Sequence, residues 1–534
     1  MLTPGQPPDT PVITGLTESL TNLASTEWRT ILARLKRARL ISGEDPHNPG
    51  HLDTHPLVRE YFGEQLRNQR TDAWKECNMR LYNYYRKLAP QLPDTFREMQ
   101  PLFSAAICGC NAGLFREALH EVYIPQIQRG NAFFAANFLG ARGALLSVLA
   151  HFFERGRWGS HVEVGVEGQS LTAEDQLFIL MQTALYLTTT RGMGSPDVQI
   201  CYECAESLCY SLNRPMLLYS ALMGQWRYSI FTETLTEAMQ VAKRIYSLAQ
   251  QQNDPALIMG AYQALVSTLS FLGDFEAAQQ YALRGVQLWR SGSIHSPIEQ
   301  VDPPALICLC HKALCEWHLG EIVSSQATLE EAISLAKELH DMHGLAEALA
   351  FAAILGTLKR DALEVNRVAS ELIELSTRHH FAQWLAAGQT SRGWVRSVAG
   401  DTTVGISWIE DGIENWRATG TTLTIPFSLA GKAEALHLAD RTSEALEAIS
   451  EAEALVERSE ERWWSAELHR LRGVFLTAIG ADETQIEASF HNAIRIAQQQ
   501  KSVSLAKRAE ATYAEYRRQK ASAPGERGFQ LPLC

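Results

Sequence analysis

The chain has 534 residues, a length that accommodates about three ordinary domains or one long array of repeats. Hydrophobic residues make up 46% of the sequence and charged residues 20%, which is typical of a folded protein and excludes an intrinsically disordered one. The 48 basic and 60 acidic residues give a net charge of −12, which disfavours binding to nucleic acid over a broad surface.

The sequence carries no targeting signal that we identify. Residues 1–11 are polar and proline-bearing, without the basic and apolar regions of a signal peptide. The longest apolar stretch, 349–358, is too short to span a membrane. The ten cysteines are expected to be reduced thiols inside helices. We therefore expect a cytoplasmic protein with no membrane contact.

The first 70 residues are predicted to form a helix, a turn-rich segment and a second helix. Residues 1–25 are expected to be flexible, and apolar periodicity predicts a helix over 25–40. Residues 41–52 contain two glycines and two prolines, which favour a hairpin-like wing. Pro56 opens the next amphipathic helix. This order is typical of a winged-helix module, which we place at 26–70.

The region that follows is predicted to be helical up to a linker. Residues 71–153 form a helical connecting region, interrupted by a proline-containing turn at 90–93 and by Gly113. Four glycines and weak apolar periodicity mark 154–171 as a linker. At the other end of the chain, residues 521–534 are expected to be a loose tail.

The region 172–520 is divided by glycine or polar breaks at a nearly constant interval. The interval is about 40 residues, which accommodates two helices of about sixteen residues and two turns. The breaks are Gly273, Gly320, Lys359, Gly400, Asp440 and Gly480. A repeat of this length is typical of a helical solenoid. The predicted fold is all-α, a tetratricopeptide-like superhelix of helix pairs with a small N-terminal winged-helix remnant.

Local signals mark where several of these helices begin. Thr172 and Thr234 each stand three residues before an acidic residue, which is the pattern of a capping box. Proline fits the first turn of a helix, so Asp254-Pro255 and the Asp-Pro-Pro run at 302–304 are predicted to open helices.

Two parts of the chain resemble a known family. The motifs EWR at 27–29 and HPLVREYF at 55–62 resemble the winged-helix end of a STAND ATPase, a signal-transduction ATPase with numerous domains. The block 117–131 is similar to the helices that follow it in bacterial members. Residues 171–519 resemble the tetratricopeptide-type arm of bacterial predicted ATPases, including those fused to adenylate or guanylate cyclases. The motifs that carry this second resemblance are RGMGSP at 191–196, NWRATG at 415–420 and ERWWSAELHRLRG at 461–473.

The nucleotide-binding part of such an ATPase has no counterpart in the sequence. No G-x-x-x-x-G-K-S/T loop occurs, and about 25 residues precede the first predicted helix. The resemblance therefore implies a non-catalytic sensor arm that binds a protein, a peptide or a small effector and signals to a P-loop ATPase supplied by a partner chain. His55 matches the histidine that contacts a nucleotide phosphate in this family, although Pro56 replaces the usual aspartate.

The candidate partner-binding residues are aromatic side chains that helix packing does not require. We expect two or three of them to be accessible on the repeats. They are Trp226, Tyr228, Trp289, Trp317, Trp384, Trp394, Trp408 and Trp416.

Metal, cofactor and catalytic sites are not expected. The cysteines at 201–209 and 308–315 are spaced loosely like zinc ligands, but their apolar helical surroundings favour buried thiols. The sequence contains no H-E-x-x-H or G-x-S-x-G motif, so we do not expect an enzyme.

Five basic residues on the first helix leave another hypothesis open. They are Arg29, Arg34, Lys36, Arg37 and Arg39. If the winged helix binds DNA, the chain is a transcription regulator whose repeats sense an effector. A third interpretation is a remnant of a larger gene without independent activity.

Overall fold

The computed structural model describes residues 12–41, 54–154, 158, 170–232, 234–292, 303–522 and 530–533. Contacts divide the chain into two compact units, Met1–Tyr186 and Leu187–Cys534. The regular elements of the described residues are all helical, which confirms the predicted all-α class. The predicted wing and the predicted linker lie largely outside the described residues.

The first unit is an assembly of helices of unequal length. Its α-helices are α1 (Ser25–Arg37), α2 (Pro56–Gln69), α3 (Thr71–Leu88), α4 (Phe96–Ala112), α5 (Phe115–Glu117), α6 (Phe134–Asn137), α7 (Arg142–Ala150) and α8 (Ala173–Arg191), the last of which continues into the second unit. Helix α5 runs on into a π-helix, Ala118–Gln128, and short 3₁₀ turns occupy Glu18–Leu20 and Gly130–Ala132.

The π-helix ends in a buried polar cluster. The side-chain amide of Gln128 donates hydrogen bonds to the hydroxyls of Tyr123, at 3.0 Å, and Tyr186, at 2.8 Å. Pro125 lies inside this segment and has no N–H to give to an α-helical ladder. A wide turn at this place is consistent with that lost donor. The cluster fixes the core of the first unit.

The second unit is a series of antiparallel helix pairs. Its helices are α9 (Pro196–Ser211), α10 (Pro215–Thr232), α11 (Leu235–Gln252), α12 (Pro255–Leu272), α13 (Phe275–Arg290), α14 (Pro304–His318), α15 (Ile322–Glu338), α16 (Met342–Leu358), α17 (Ala362–His379), α18 (Ala382–Val398), α19 (Thr402–Ala418), α20 (Ile425–Leu438), α21 (Thr442–Ser459), α22 (Ser465–Ala478), α23 (Glu483–Gln499) and α24 (Val503–Ser522).

The predicted breaks lie where even-numbered helices end. Five of the six are left-handed residues, with φ between 59° at Asp440 and 97° at Gly400. In the remaining repeat the left-handed residue is Arg360, directly after the predicted Lys359. A left-handed residue ends a helix because it turns the chain out of the helical path. The predicted repeat of helix pairs is therefore confirmed.

The helix starts follow the predicted signals. The Thr234 hydroxyl accepts from the amide of Glu237 at 3.3 Å, and the Glu237 carboxylate accepts from the Thr234 amide at 3.1 Å. Thr172 and Asp175 form the same reciprocal pair. Asp254 caps α12 by accepting from the amide of Ala256 at 2.8 Å. Each cap satisfies amides that a helix leaves unpaired at its start.

Even-numbered helices form the inner layer of the second unit and odd-numbered helices the outer layer. Each of α12, α14 and α16 is buried along most of its length, and it packs against the next even-numbered helix as well as its sequence neighbours. Helix α12 is long and apolar enough to cross a membrane by composition, yet 72% of it is buried inside the fold. Its inner position explains its hydropathy.

The helix pairs wind into a superhelix whose successive turns touch. The Thr422 amide donates to the Phe231 carbonyl at 2.9 Å, and the Thr422 hydroxyl donates to the same carbonyl across a separation of 191 residues. The Arg462 amide donates to the Phe271 carbonyl at 2.8 Å, one repeat further along both turns. The later repeats therefore lie over the C-terminal ends of the earlier inner helices.

The last described residues are held by two arginines. The Leu533 carbonyl accepts from Nη2 of Arg360 at 2.8 Å and from Nη2 of Arg470 at 2.9 Å, and Leu531 is buried. Residues 530–533 of the predicted tail thus supply an acceptor to guanidinium groups that require one.

Candidate functional site

A cavity of about 120 Å³ lies among the inner helices of the second unit. Side chains from the six even-numbered helices α10 to α20 border it, together with Trp416 of α19. Most of its wall is apolar, and the largest contributors are Trp226, Phe271, Phe351, Trp384, Trp416 and Phe427. An apolar cavity with a few polar groups is the usual form of a small-ligand site.

The tryptophans of the wall are held in place by the fold. The indole N–H of Trp226 donates to the Thr268 hydroxyl at 3.0 Å, and that of Trp384 donates to Nε2 of His343 at 3.0 Å. The rings of Trp384 and Trp416 meet edge to face, with centroids 6.4 Å apart. The wall is therefore preorganised, which lowers the entropic cost of binding.

Four residues that border the cavity carry a buried polar atom with no hydrogen-bond partner among the described residues. The atoms are Gln263 Oε1, His311 Nδ1, Gln383 Nε2 and Trp416 Nε1. Gln263 and His311 are each 2% exposed, so bulk water does not satisfy them. Unpartnered buried polar atoms are rare in folded proteins and call for an explanation. A ligand that supplies the missing partners is such an explanation.

His311 lies between two phenylalanine rings. Its ring centroid is 5.3 Å from that of Phe271 and 4.8 Å from that of Phe351, and both contacts are edge to face. Burial lowers the pKa of His311 to about 3, because the apolar surroundings disfavour the charged ring. His311 is therefore neutral at physiological pH and can donate or accept one hydrogen bond.

One cation borders the cavity without an ion-pair partner. Arg227 on α10 is half-buried and forms no salt bridge with the residues that the structure describes. Glu347 on α16 also borders the cavity, but it already has an interaction partner within the fold. The charge available to a ligand in the cavity is therefore positive.

A second, wider cleft of about 910 Å³ is bordered by residues of α12, α13 and α21 to α23. Its wall is polar and carries both signs of charge. Several of these charges are paired, for example Lys501 with Glu276 at 2.5 Å and Glu453 with Arg472 at 2.5 Å. In this cleft two buried polar atoms lack a hydrogen-bond partner, one on Ser465 and one on Gln500, compared with four at the inner cavity.

Three of the predicted aromatic residues border the inner cavity, namely Trp226, Trp384 and Trp416. Trp317 and Trp394 are only 3% and 4% exposed and are not part of the wall of this cavity, and their role as partner-binding residues stays a prediction. The Arg508 guanidinium lies 5.5 Å from the Trp317 ring centroid, and the Trp394 indole donates to Glu434 at 3.0 Å.

The other predicted aromatics lie away from this cavity. Tyr228, Trp289 and Trp408 are half-buried and are not part of its wall. The Arg392 guanidinium lies 5.2 Å from the Trp408 ring centroid. Their role as partner-binding residues stays a prediction.

The sequence analysis missed the polar residues of the cavity. Arg227, Gln263, His311 and Gln383 have the larger polar side chains of the cavity wall, on helices whose inner positions are mostly apolar apart from small residues such as Ser267 and Ser391. That interruption of an apolar face is the signal that could have identified them.

Most of the described cysteines are buried, whereas Cys204 is exposed and Cys77 is half-buried. Cys308 and Cys310 are fully buried, and burial raises the pKa of Cys308 to about 12. A thiol with so high a pKa is a poor nucleophile. In the described part of the chain, no group of three or more His, Cys, Asp and Glu side chains could hold a metal ion.

The predicted site residues of the first unit are exposed. His55 caps α2, and its Nδ1 accepts from the Leu57 amide at 3.3 Å. On α1, Arg29, Arg34 and Arg37 are exposed and Lys36 is half-buried, and Arg39, two residues beyond the end of the helix, is also exposed. Trp28 and Leu32 provide the buried side of this helix.

The chain is similar to one curated protein over much of its length. No family model matches it. An uncharacterized protein of Rhizobium meliloti is 24% identical over 350 residues, which is 65% of this chain and 34% of that protein. The chain thus spans about a third of the length of this relative.

Several solved structures are weakly similar to this chain. The Rap protein complexed with competence and sporulation factor has 11% identity and a TM-score of 0.44, over 65% of this chain and 99% of that chain. NprR in complex with its cognate peptide NprX has 11% identity and a TM-score of 0.41, over 64% and 99%. A STAND protein with a tetratricopeptide repeat sensor from Pyrococcus horikoshii has 12% identity and a TM-score of 0.31, over 91% and 60%. These similarities are too weak to assign a function.

Proposed function

We propose that the chain is a non-catalytic sensor arm whose helical repeats bind an effector or a partner protein. The observation that carries this proposal is the inner cavity, which six inner helices and α19 border and whose apolar wall carries four unpartnered polar atoms. Packing alone would leave these atoms without hydrogen-bond partners. A cavity of this kind in the inner layer therefore supports recognition of a ligand.

The chemistry of the cavity favours binding over catalysis. His311 is a weak base at neutral pH because its pKa is about 3. A general base works best when its pKa lies near the operating pH. Glu347 is engaged within the fold, and no cysteine borders the cavity. The residues therefore supply hydrogen bonds and apolar contacts to a ligand.

The arm is proposed to serve a STAND-type switch in the cytoplasm. Binding at the repeats would be passed through the region of α1 and α2 to a P-loop ATPase on a partner chain. The motifs at 27–29 and 55–62 support this proposal, as does the greater length of the Rhizobium meliloti relative. In this arrangement His55 would contact a phosphate of the partner's nucleotide.

Affinity capture tests this function. The tagged full chain is incubated with lysate of its source organism, with and without ATP, and the eluate is analysed for proteins and nucleic acids. We expect recovery of a P-loop ATPase in a yield that depends on ATP. The His55→Ala variant should lose the ATP dependence, whereas the exposed control His379→Ala should retain it. Recovery of the same proteins by both variants with no P-loop ATPase among them would contradict the proposal.

The exposed arginines of α1 favour a second candidate function, a DNA-binding regulator. Arg29, Arg34, Arg37 and Arg39 all face solvent, where phosphates could reach them. Replacing Arg29, Lys36 and Arg37 by Glu should abolish DNA binding and its steep dependence on salt if this candidate is right. The same variant should retain partner capture if the chain is a sensor arm.

A further inference from the structure

We propose that the inner cavity binds a small organic acid, a carboxylate attached to a compact apolar body such as one aromatic ring or a branched alkyl group. This inference rests on the proposed sensor function and names the chemical class of its ligand. It follows from the size of the cavity, the sign of its free charge and the kind of polar atoms that lack partners.

The volume limits the ligand to a compact molecule. The cavity measures about 120 Å³, the volume of roughly four water molecules at about 30 Å³ each. Apolar cavities of about 150 Å³ hold a single benzene molecule. A whole peptide or nucleotide is several times larger than the cavity, so only one side group of such a molecule could enter it. The ligand is therefore of the size of one ring or one branched chain.

The apolar wall selects a flat or branched body. Trp226, Phe271 and Phe351 come from the inner helices α10, α12 and α16 and border one cavity. Aromatic rings pair favourably with other rings in offset or edge-to-face arrangements. Trp226 is held by its bond to Thr268, so this wall keeps its shape when the ligand leaves.

The polar groups select an acceptor with negative charge. Arg227 has no ion pair with a described residue, and the unpartnered atoms of Gln383 and Trp416 are both N–H donors. A carboxylate accepts from all three kinds of donor, and hydrogen bonds to a charged group are the stronger ones.

The other two unpartnered groups adapt to such a ligand. Rotation of the Gln263 amide exchanges its oxygen and nitrogen, so it presents either an acceptor or a donor. Neutral His311 does the same through its two tautomers. A substituent on the apolar body, such as a hydroxyl, can therefore bond to either residue.

The site includes both turns of the superhelix. Phe231 belongs to the earlier turn and Leu423 to the later turn, and both border the cavity. The hydrogen bonds from Thr422 to the Phe231 carbonyl join the two turns next to the ligand. A bound acid that contacts both turns stabilises their contact, so its binding is linked to superhelix closure.

Titration calorimetry on the full chain tests the ligand class with three compact acids, benzoate, phenylacetate and isovalerate, and with their uncharged amides. We expect at least one acid to bind and its amide to bind at least tenfold more weakly. The Arg227→Gln variant should lose at least tenfold in affinity for that acid. The exposed control Arg378→Gln, on α17, should bind as the natural chain does.

Filling the cavity provides a second variant that does not remove a charge. Ala387 borders the cavity on α18, whereas Ala382 on the same helix is exposed. Ala387→Leu should reduce acid binding at least tenfold while the far-ultraviolet circular dichroism stays helical. Ala382→Leu adds the same atoms outside the cavity and should leave binding unchanged.

The outcomes separate this inference from the proposed function. Binding of an acid that depends on Arg227 and is blocked by Ala387→Leu supports it. The inference is overturned if no acid binds, or if amides bind as tightly as acids and Arg227→Gln has no effect. The proposed sensor function fails separately, when affinity capture recovers no partner with the natural chain.

Discussion

At the scale of single residues, a buried network of ion pairs connects separate helices of the second unit. Arg470 is fully buried and holds the Glu467 carboxylate with two hydrogen bonds, at 2.7 and 3.0 Å. Arg508 of α24 contacts the same carboxylate at 3.3 Å. Burial alone would raise the pKa of Glu467, but the two guanidinium groups outweigh it and lower the pKa to about 2.

We predict that Glu467→Gln lowers the free energy of unfolding by about 3–5 kcal/mol at pH 7, because it leaves the buried Arg470 and the half-buried Arg508 without their anion. Denaturant unfolding measures this change. The matched control Glu374→Gln breaks an exposed pair with Arg378 and should change stability by less than about 0.5 kcal/mol. Similar losses in both variants would contradict the prediction.

The same carboxylate predicts a pH dependence. A folded pKa of about 2 lies below the usual value of about 4.3. The stability from Glu467 is therefore complete above the unfolded pKa and is lost as pH falls through the folded pKa. Between about pH 4.5 and 2 the natural chain should lose more stability than Glu467→Gln does.

For Glu461 we expect the opposite dependence of stability on pH. Its Oε1 accepts from the Thr424 amide at 3.1 Å and from the Trp463 indole at 2.7 Å, and burial raises its pKa to about 8 despite these bonds. The folded state keeps a proton that the unfolded chain releases above about pH 4.3. This group therefore destabilises the fold as pH rises from about 4.5 to 8.

We predict that Glu461→Gln gains stability relative to the natural chain as pH rises from 4 to 8. A glutamine oxygen in the place of Oε1 keeps a hydrogen bond from the Thr424 amide, at 3.1 Å, and one from the Trp463 indole, at 2.7 Å. The 2.9 Å hydrogen bond from the Thr424 amide to Oε2 is lost, because an amide nitrogen replaces that oxygen. The neighbouring Glu460 accepts from the Thr236 amide, which lowers its pKa, so Glu460→Gln should show no gain at pH 8. Urea unfolding at the two pH values measures the difference.

At the scale of elements, α18 and α19 meet at glycines. A β-carbon on Gly393 would lie 2.7 Å from the Gly405 carbonyl oxygen, and one on Gly405 would lie 2.6 Å from the Gly393 oxygen. Both positions lie in the middle of helices, where glycine costs about 1 kcal/mol relative to alanine. Close contact of the two backbones explains why glycine occupies them.

We predict that Gly393→Ala lowers the free energy of unfolding by about 1–3 kcal/mol, because the added methyl group forces the two helices apart. Gly431→Ala is the control, since its β-carbon would meet only Trp394 at 3.8 Å. The control should gain about 0.4–1 kcal/mol from helix propensity. Thermal or urea unfolding measures both, and a gain for Gly393→Ala would contradict this account.

The helices themselves were predictable because their signals are local. Left-handed residues such as Gly273 and Gly400, and caps such as Thr234, act within a few residues of the helix ends that they define. The apolar periodicity identified helix pairs for the same reason. Lys359 illustrates the limit of such signals, because the left-handed residue is its neighbour Arg360, whose side chain is held by Glu434 from another repeat.

At the scale of the whole second unit, the candidate site depends on contacts that the sequence does not reveal. Trp226 and Trp394 look alike as isolated aromatics in apolar helices, yet only Trp226 borders the inner cavity. The difference depends on which repeat lies over which, across separations such as the 191 residues between Phe231 and Thr422. The relative position of the two superhelical turns results from small rotations between successive repeats, and no local motif encodes these rotations.

The contact between superhelical turns gives a prediction for the whole unit. A β-carbon on Gly194 would lie 2.3 Å from the Gly420 carbonyl oxygen, which belongs to the next turn. Met193 and Leu423, which flank this contact, border the cavity. We predict that Gly194→Ala separates the two turns here and increases hydrogen exchange at the Thr422 amide, which donates to Phe231 in the natural chain.

Hydrogen exchange with mass spectrometry on peptides covering 418–424 measures this opening, and Gly431→Ala serves as the control with an added methyl group but no turn contact. Because both turns border the cavity, Gly194→Ala should also bind the compact acids less tightly, and a bound acid should restore part of the lost protection. Faster exchange with unchanged acid affinity would show that the turns open without involving the cavity. Unchanged exchange would mean that the Gly194 contact does not hold the turns together.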